Sequence, residues 1–187
     1  KGDRVFLAQA FQKLSLNFTW WVNRKDRNGN NVFEGGFLGL DNIGIFDRSS
    51  PLPTGGHLEQ ADGTAWMCFF AECMAEIAIE LADEDPAYEP MVVKFIEHFL
   101  FIVNAMDRVG DHRDEMWDEQ DGFFYDVLRL PDGSAQRLKV RSMVGLLPLC
   151  SAAIITEGMR DRYPHLVQRL TKRLDSMPGL KQTVTTL

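Results

Sequence analysis

The chain has 187 residues, of which 45% are hydrophobic and 25% charged, and its formal net charge at pH 7 is −7. These values are ordinary for a globular protein and predict a single domain with a buried core. The 20 basic residues, set against 27 acidic ones, form no basic stripe, so we expect no nucleic-acid partner. No apolar run approaches the about 20 residues that cross a bilayer, so we expect no membrane partner either.

Cysteines and histidines are few and scattered. The three cysteines and four histidines show neither a disulfide framework nor the spacing of metal ligands. Cys68 and Cys73 lie in an apolar helical pattern, where a small buried thiol in a reducing compartment is the usual outcome. The N-terminus lacks the apolar core of a signal peptide. We therefore expect no metal, no cofactor and a cytoplasmic protein.

Apolar residues recur with the period of an α-helix in five segments of the chain. The third segment begins at Asp85-Pro86, an acid that can cap a helix followed by a proline that suits its first turn. A short link joins the second and third segments, which predicts an antiparallel helical hairpin. The predicted helices span residues 5–22, 59–82, 86–106, 146–157 and 164–176.

Two connections between these helices carry further patterns. Residues 23–58 form a glycine-rich stretch with many apolar side chains, too apolar to stay solvated, which we interpret as a packed functional loop. Strand-like runs at 123–130 and 136–141 flank Leu130-Pro131-Asp132-Gly133, whose proline and glycine suit a tight turn. The second pattern predicts a small β-hairpin inserted between helices.

Three ordered motifs give the chain its strongest functional signal. They are NRKDRNGNNVFEGGFLGLDNIGIFDR at 23–48, LEQADGTAWM at 58–67, and WDEQDGFFYD at 117–126, which is followed by LRLPDG and LKVR. Together they resemble the bacterial branch of glycoside hydrolase family 63, which contains processing α-glucosidase I and mannosylglycerate hydrolases. The resemblance covers nearly the whole chain up to Glu157.

The resemblance implies an all-α fold, an (α/α)6 toroid built from six antiparallel helical hairpins with the sugar site at one end of the ring. The five predicted helices are too few for that ring. We therefore expect residues 1–187 to form a single partial (α/α)6 catalytic domain with a small inserted β-hairpin. Helix faces that further hairpins would cover are then exposed, which predicts self-association.

The resemblance also implies a reaction. Family members are inverting glycosidases, in which one carboxyl group protonates the departing oxygen while a second, roughly 6.5–9.5 Å away, activates water. The acid of the family motif Gly-x-Asp-(Asp/Asn) matches Asp41 in Gly39-Leu40-Asp41-Asn42. A carboxyl in an apolar loop tends to keep the proton that a general acid needs. In the family the base is a glutamate far toward the C-terminus, and we expect it outside this chain.

Five further residues are predicted to contact the sugar. Glu34 is among them because Phe37 stands where many members carry a glutamate four residues before the acid. Each has a structural alternative that the sequence leaves open, since acids at a helix start cap amides, arginines pair with acids and tryptophans are usually buried. The predicted substrate-binding residues are Glu34, Arg48, Asp62, Trp117 and Asp118.

These motifs predict hydrolysis of an α-glucosidic or α-mannosidic bond in a carbohydrate substrate. The second carboxyl group is expected to lie outside the chain, so little activity is expected of this chain alone. A non-catalytic alternative stays open, namely a sugar-binding or helical scaffold module derived from such an enzyme.

Overall fold

The computed structural model describes residues 2–23, 31–34, 38–107, 115–152, 161 and 163–176. Its described α-helices, numbered here in chain order, are α1 (Arg4–Val22), α2 (Ala61–Ala82), α3 (Glu89–Asp107) and α4 (Pro164–Asp175). They confirm four of the five predicted helices to within three residues at each end. The parts of the predicted loop at 24–30 and 35–37, including Phe37, lie outside the described residues.

Aspartates cap two of the helical segments, as their positions in the sequence indicate. The Asp3 carboxylate accepts a hydrogen bond from the Phe6 N–H at 3.0 Å, which satisfies one free amide in the first turn of α1. The Asp85 carboxylate accepts from the Ala87 N–H at 2.9 Å and caps a short 3₁₀ helix, Pro86–Tyr88. The Asp85 cap is thus confirmed, although α3 itself begins only at Glu89.

The helix predicted at 146–157 is wrong over the part that the structure describes. This region forms a 3₁₀ helix, Met143–Cys150, which contains Pro148, and residues 153–157 lie outside the described part of the chain. A proline supplies no amide hydrogen and its ring clashes with the preceding turn of an α-helix. The segment also packs closely, because a Cβ atom at Gly145 would meet the Phe124 carbonyl oxygen at 2.1 Å.

Two small antiparallel sheets accompany the helices. Their strands are β1 (His57–Glu59), β2 (Trp117–Asp118), β3 (Phe123–Phe124), β4 (Asp126–Arg129) and β5 (Ala135–Leu138). The order of the larger sheet is β1-β4-β5, and β2 pairs with β3. The predicted hairpin is confirmed as β4 and β5, whose turn is closed by the Gly133 N–H donating to the Leu130 carbonyl at 3.0 Å. Strand β1 was not predicted, and it explains why α2 starts at Ala61.

Helix α2 lies at the centre of the described structure. It packs against α1, α3 and both 3₁₀ helices, and 13 of its 22 residues are buried. Aromatic rings join the other two long helices, since Phe95 of α3 meets Phe11 and Phe18 of α1 edge to face at centroid distances of 5.8 and 5.0 Å. Such contacts add specific attraction to the burial of apolar area.

The expected all-α helical toroid is wrong. In a toroid, helical hairpins pack side by side around a ring, whereas here one helix is surrounded by the other helical segments. The strands are also more than an inserted hairpin, because β1 precedes α2 directly and pairs with β4, which lies far along the chain. The fold is therefore mostly helical with two small antiparallel sheets. The sheets lie beside the start of α2, where the charged residues gather.

Candidate functional site

A buried ionic cluster lies at the N-terminal end of α2. The Arg48 side chain, 1% exposed, donates to both carboxylate oxygens of Asp62, with the Nη1–Oδ2 distance at 3.0 Å. The same guanidinium meets Asp126 through Nε to Oδ2 at 2.8 Å and Nη2 to Oδ1 at 3.2 Å. These three residues, here called the Arg48 cluster, pair their charges in a site that water scarcely reaches.

The Arg48 cluster joins three segments that are distant in the sequence. Arg48 comes from the long loop, Asp62 from the first turn of α2 and Asp126 from the start of β4. The Asp126 carboxylate also accepts from the Ala61 N–H at 2.9 Å, at the end of α2 where free amides and the helix dipole favour a negative charge. The cluster therefore fixes the loop, the helix and the sheet relative to one another.

Burial and pairing act in opposite directions on these groups. Burial raises the pKa of Asp126, and the Arg48 charge and the Ala61 amide only partly oppose that rise. Burial by itself would lower the pKa of Arg48, but the hydrogen bond to Asp62 and the charges of Asp126 and Asp62 raise it above the usual value. Arg48 thus stays a cation inside the protein, held by two carboxylates.

The loop that carries Asp41 is wrapped around the Arg48 cluster. The Arg48 backbone N–H donates to the Asp41 carbonyl at 3.0 Å, and its Nη1 donates to the Leu40 carbonyl at 3.1 Å. Gly39, with φ at +73°, supplies the left-handed conformation just before this segment. The backbone at Asp41 is therefore held by both the main chain and the side chain of Arg48.

The Asp41 side chain differs from that of Asp47, a second aspartate of the loop. Its Oδ1 atom is buried yet has no hydrogen-bond partner among the described groups. Asp47, in the same loop, is instead exposed and accepts from Ser49 and Ser50. Buried polar atoms nearly always have partners, and exceptions often mark functional groups. The Asp41 Oδ1 atom is thus one of several buried polar atoms, Glu34 Oε1 and Gln60 Oε1 among them, that have no hydrogen-bond partner among the described groups.

A second buried ion pair lies next to the cluster, between β1 and β4. Arg129 binds Glu59 through two parallel contacts, Nε to Oε1 at 2.9 Å and Nη2 to Oε2 at 3.0 Å. The His57 Nε2 atom lies 3.7 Å from Glu34 Oε1 and 4.0 Å from Glu59 Oε1. The structure thus places Glu34 beside His57 at the edge of this second pair, with 28% of its side chain exposed.

Trp117 and Asp118 occupy a different part of the molecule, on β2. The Asp118 carboxylate meets Arg137 Nη1 at 3.0 Å and Lys139 Nζ at 2.8 Å. The Lys139 contact, the Asp121 amide and the nearby positive charges hold the pKa of Asp118 at about 2. The Trp117 ring packs against Phe124 of β3 at a centroid distance of 4.8 Å.

The sequence-predicted residues therefore fall into separate groups. Arg48 and Asp62 lie together behind the Asp41 backbone, and both are occupied with each other, as the structural alternatives for an arginine and a helix-start acid anticipate. Their role in binding sugar stays a prediction. The buried partners Glu59, Asp126 and Arg129 were not identified from the sequence. A signal for two of them exists in β4, which reads Asp-Val-Leu-Arg and is buried throughout, because the charges of a buried strand must be paired.

The described residues were also searched for metal sites and for membrane-spanning helices. Within them, no three histidine, cysteine, aspartate or glutamate side chains are grouped so that they could hold a metal ion. None of the helices described is long and apolar enough to span a membrane.

No protein-family model matches the chain, and no solved structure matches it. A search of curated proteins does find a relative, the uncharacterized protein YMR196W of Saccharomyces cerevisiae, which is 48% identical over 191 aligned residues. The alignment covers 96% of the chain but only 18% of the yeast protein. The chain therefore spans less than a fifth of the length of the relative that it matches.

Proposed function

We propose that the chain carries the acid half of a glycoside hydrolase site, with Asp41 as the general acid. The reaction is inverting hydrolysis of an α-glucosidic or α-mannosidic bond, as the motifs of glycoside hydrolase family 63 imply. The second carboxyl group, which activates water, comes from polypeptide outside these 187 residues. The substrate is a carbohydrate, and the site needs no metal or cofactor.

The observation that carries the proposal is the buried, unpartnered Oδ1 atom of Asp41. A general acid must present its carboxyl group to the departing oxygen, and a carboxyl already bound by backbone amides would be unavailable. The loop hydrogen bonds of Asp41 involve its backbone carbonyl and leave that carboxyl oxygen free. The free oxygen supports the role of a proton donor, which also requires that the substrate reach this buried atom.

The Arg48 cluster supports the proposal by holding the loop in place. A general acid loses effectiveness when its carboxyl group moves by about 1 Å from the reacting oxygen. Arg48 holds the backbone at Leu40 and Asp41, and is itself fixed by Asp62 and Asp126. In this proposal Arg48 and Asp62 contribute to the site by holding the loop, in place of the sugar contacts that the sequence predicts for them.

The proposed compartment is the cytoplasm. The three cysteines are all free, with Cys68 buried and Cys150 exposed. Free thiols of this kind fit a reducing compartment better than an oxidising one.

The test compares hydrolysis of aryl α-glucosides and aryl α-mannosides by this chain and by a longer protein that contains it. We expect activity in the longer protein and a loss of about 10²–10⁴-fold in kcat on Asp41→Asn, because proton transfer by a positioned side chain contributes that much. The matched control is Asp47→Asn, an exposed aspartate of the same loop, which should leave kcat nearly unchanged.

Three results would contradict the proposal. Equal activity in this chain and the longer protein would show that no outside carboxyl group is needed. Full activity after Asp41→Asn would remove Asp41 as the acid. A longer protein that binds these glycosides without hydrolysing them would support the non-catalytic sugar-binding module instead.

A further inference from the structure

We propose that an open cleft beside β2 is a separate binding site for one neutral sugar unit of a carbohydrate. The cleft has a volume of about 290 Å³, close to the smallest pockets that hold small organic ligands. The choice of a sugar rests on the proposed function, whereas the shape and charge of the cleft do not. The lining residues are Glu115, Trp117, Asp118, Glu119, Gln120 and Arg137.

Trp117 gives the cleft an aromatic wall. Its ring is half-buried, and it is held in place because it packs against Phe124 across the β2–β3 pair. An indole has a large apolar face that can cover the C–H face of a sugar ring while its edge stays polar. A tryptophan fixed in this way loses little conformational freedom on binding.

The arginine in the cleft already contacts two carboxylates and a backbone carbonyl. Arg137 donates from Nε to the Glu115 carbonyl at 2.6 Å and from Nη2 to the Glu115 carboxylate at 2.8 Å. Its Nη1 donates to Asp118 at 3.0 Å. Each nitrogen of this guanidinium therefore already has an acceptor on the protein, and two of these acceptors are carboxylates, whose negative charge disfavours a phosphate or carboxylate ligand there. The network instead holds the cleft wall rigid.

The charge of the lining also argues against an anionic ligand. The lining holds three carboxylates and one guanidinium, and of these three carboxylates Asp118 is the one that Lys139 also contacts. Glu119 and Gln120 are exposed at the rim and can accept or donate hydrogen bonds to hydroxyl groups. An aromatic face with carboxylate and amide groups around it suits a neutral polyol.

The cleft is distinct from the space at the Arg48 cluster. That cavity, lined by Arg48, Phe124 and Asp126 among others, measures about 20 Å³, room for roughly one water molecule and not for a sugar. The rings of Trp117 and Phe124 contact each other. Trp117 lines the cleft, whereas Phe124 lines the small cavity at the cluster. The β2–β3 pair therefore lies between the cleft and the cluster behind Asp41.

The test titrates the chain with methyl α-glucoside and methyl α-mannoside and follows binding by ligand-observed NMR. We expect at least one of these sugars to bind, and Trp117→Ala to weaken its binding by about three- to tenfold, since a lost stacking contact is worth roughly that factor. Trp117→Phe keeps an aromatic face and should lose much less. The matched control is Trp66→Ala, because Trp66 is also accessible, at 42% exposure, but lies on α2.

Two further measurements separate the alternatives. Glu119→Gln and added salt should change sugar binding little, whereas they would weaken an organic cation such as tetramethylammonium strongly. Binding of tetramethylammonium but of neither sugar would overturn the proposal, as would sugar binding that Trp117→Ala leaves intact. Failure of both sugars to bind the folded chain would overturn it too.

The proposed acid Asp41 and the proposed sugar site in the cleft can be tested independently of each other. Asp41→Asn should leave binding at the cleft unchanged, because Asp41 does not line it. If hydrolysis depends on Asp41 while Trp117→Ala has no effect on sugar binding, the cleft proposal alone is wrong. If sugar binding depends on Trp117 but Asp41→Asn keeps full activity, the proposed acid alone is wrong.

Discussion

At the scale of single residues, charge burial is the most demanding feature of this protein. Arg48, Asp62 and Asp126 together place two carboxylates and one guanidinium where almost no water reaches them. Such a group is costly to desolvate, and it is tolerated because each charge has a close partner of opposite sign. Removing one partner leaves the others charged and buried. Arg48 pairs with both carboxylates, so its substitution should destabilise the fold most.

We expect Arg48→Met to lower the free energy of unfolding by about 3–5 kcal/mol, because it leaves two buried carboxylates without their cation. The matched control is Arg141→Met, since the Arg141 side chain is 65% exposed and its ion pair with Asp121 is open to solvent. Urea denaturation followed by circular dichroism measures both. A loss for Arg48→Met no larger than that for Arg141→Met would show that the cluster contributes little to stability.

At the scale of elements, the β2–β3 pair depends on charges supplied by β5 and the residue that follows it. Arg137 of β5 and Lys139 both contact Asp118, and Lys139 also lies 3.1 Å from Asp121. A two-stranded sheet this short has few backbone hydrogen bonds of its own, so side-chain contacts must help to hold it. These contacts disappear when the carboxylate gains a proton.

Acid should therefore loosen this part of the molecule. The pKa of Asp118 is about 2 in the folded chain against an ordinary 3.8, so the ionised carboxylate favours folding. That stability is fully present above about pH 5 and is lost as the pH falls toward the folded pKa. Asp118→Asn should lower the thermal midpoint at about pH 6 and have much less effect near pH 2.

A second variant checks the cause of this pH dependence. The Lys139 hydrogen bond is the largest influence on the pKa of Asp118, so Lys139→Met should reduce the effect of Asp118→Asn at neutral pH. Thermal unfolding of the two single variants and the double variant gives the coupling. Equal effects of Asp118→Asn at both pH values would contradict the assigned pKa shift.

At the scale of the whole molecule, several apolar side chains of α1 face solvent. Val5, Phe6 and Leu16 are 69%, 65% and 76% exposed, although α1 buries Phe11 and Phe18 on its other side. Single exposed apolar residues are common, but a face of them on one helix is typical of an interface. We propose that these helix faces mediate self-association of the chain.

Self-association should appear in sedimentation velocity as a sedimentation coefficient that rises with protein concentration. The double variant Phe6→Ser and Leu16→Ser should reduce that rise, because it removes two of the most exposed apolar side chains of α1. Leu14→Ser is the control, since Leu14 lies on the same helix but is only 37% exposed. A monomer at every concentration would contradict the proposal.

The helices, their caps and the tight turn could be predicted from the sequence because they depend on local properties. Apolar spacing marked α1 to α4, Asp85 marked a cap, and Pro131 with Gly133 marked the turn. The helix predicted from residue 146 onward failed for a reason that was also local, because Pro148 disfavours an α-helix there.

The pairing of charges and the arrangement of the helices were decided only by the tertiary structure. Arg48 and Asp126 are 78 positions apart, and nothing in the residues near either one specifies the other as its partner. Likewise, β1 exists because β4 supplies its hydrogen-bond partners from far along the chain. Local patterns determine which segments can be helical or extended, whereas burial selects the distant partners, because a buried charge or strand edge must be satisfied by whatever the fold brings to it.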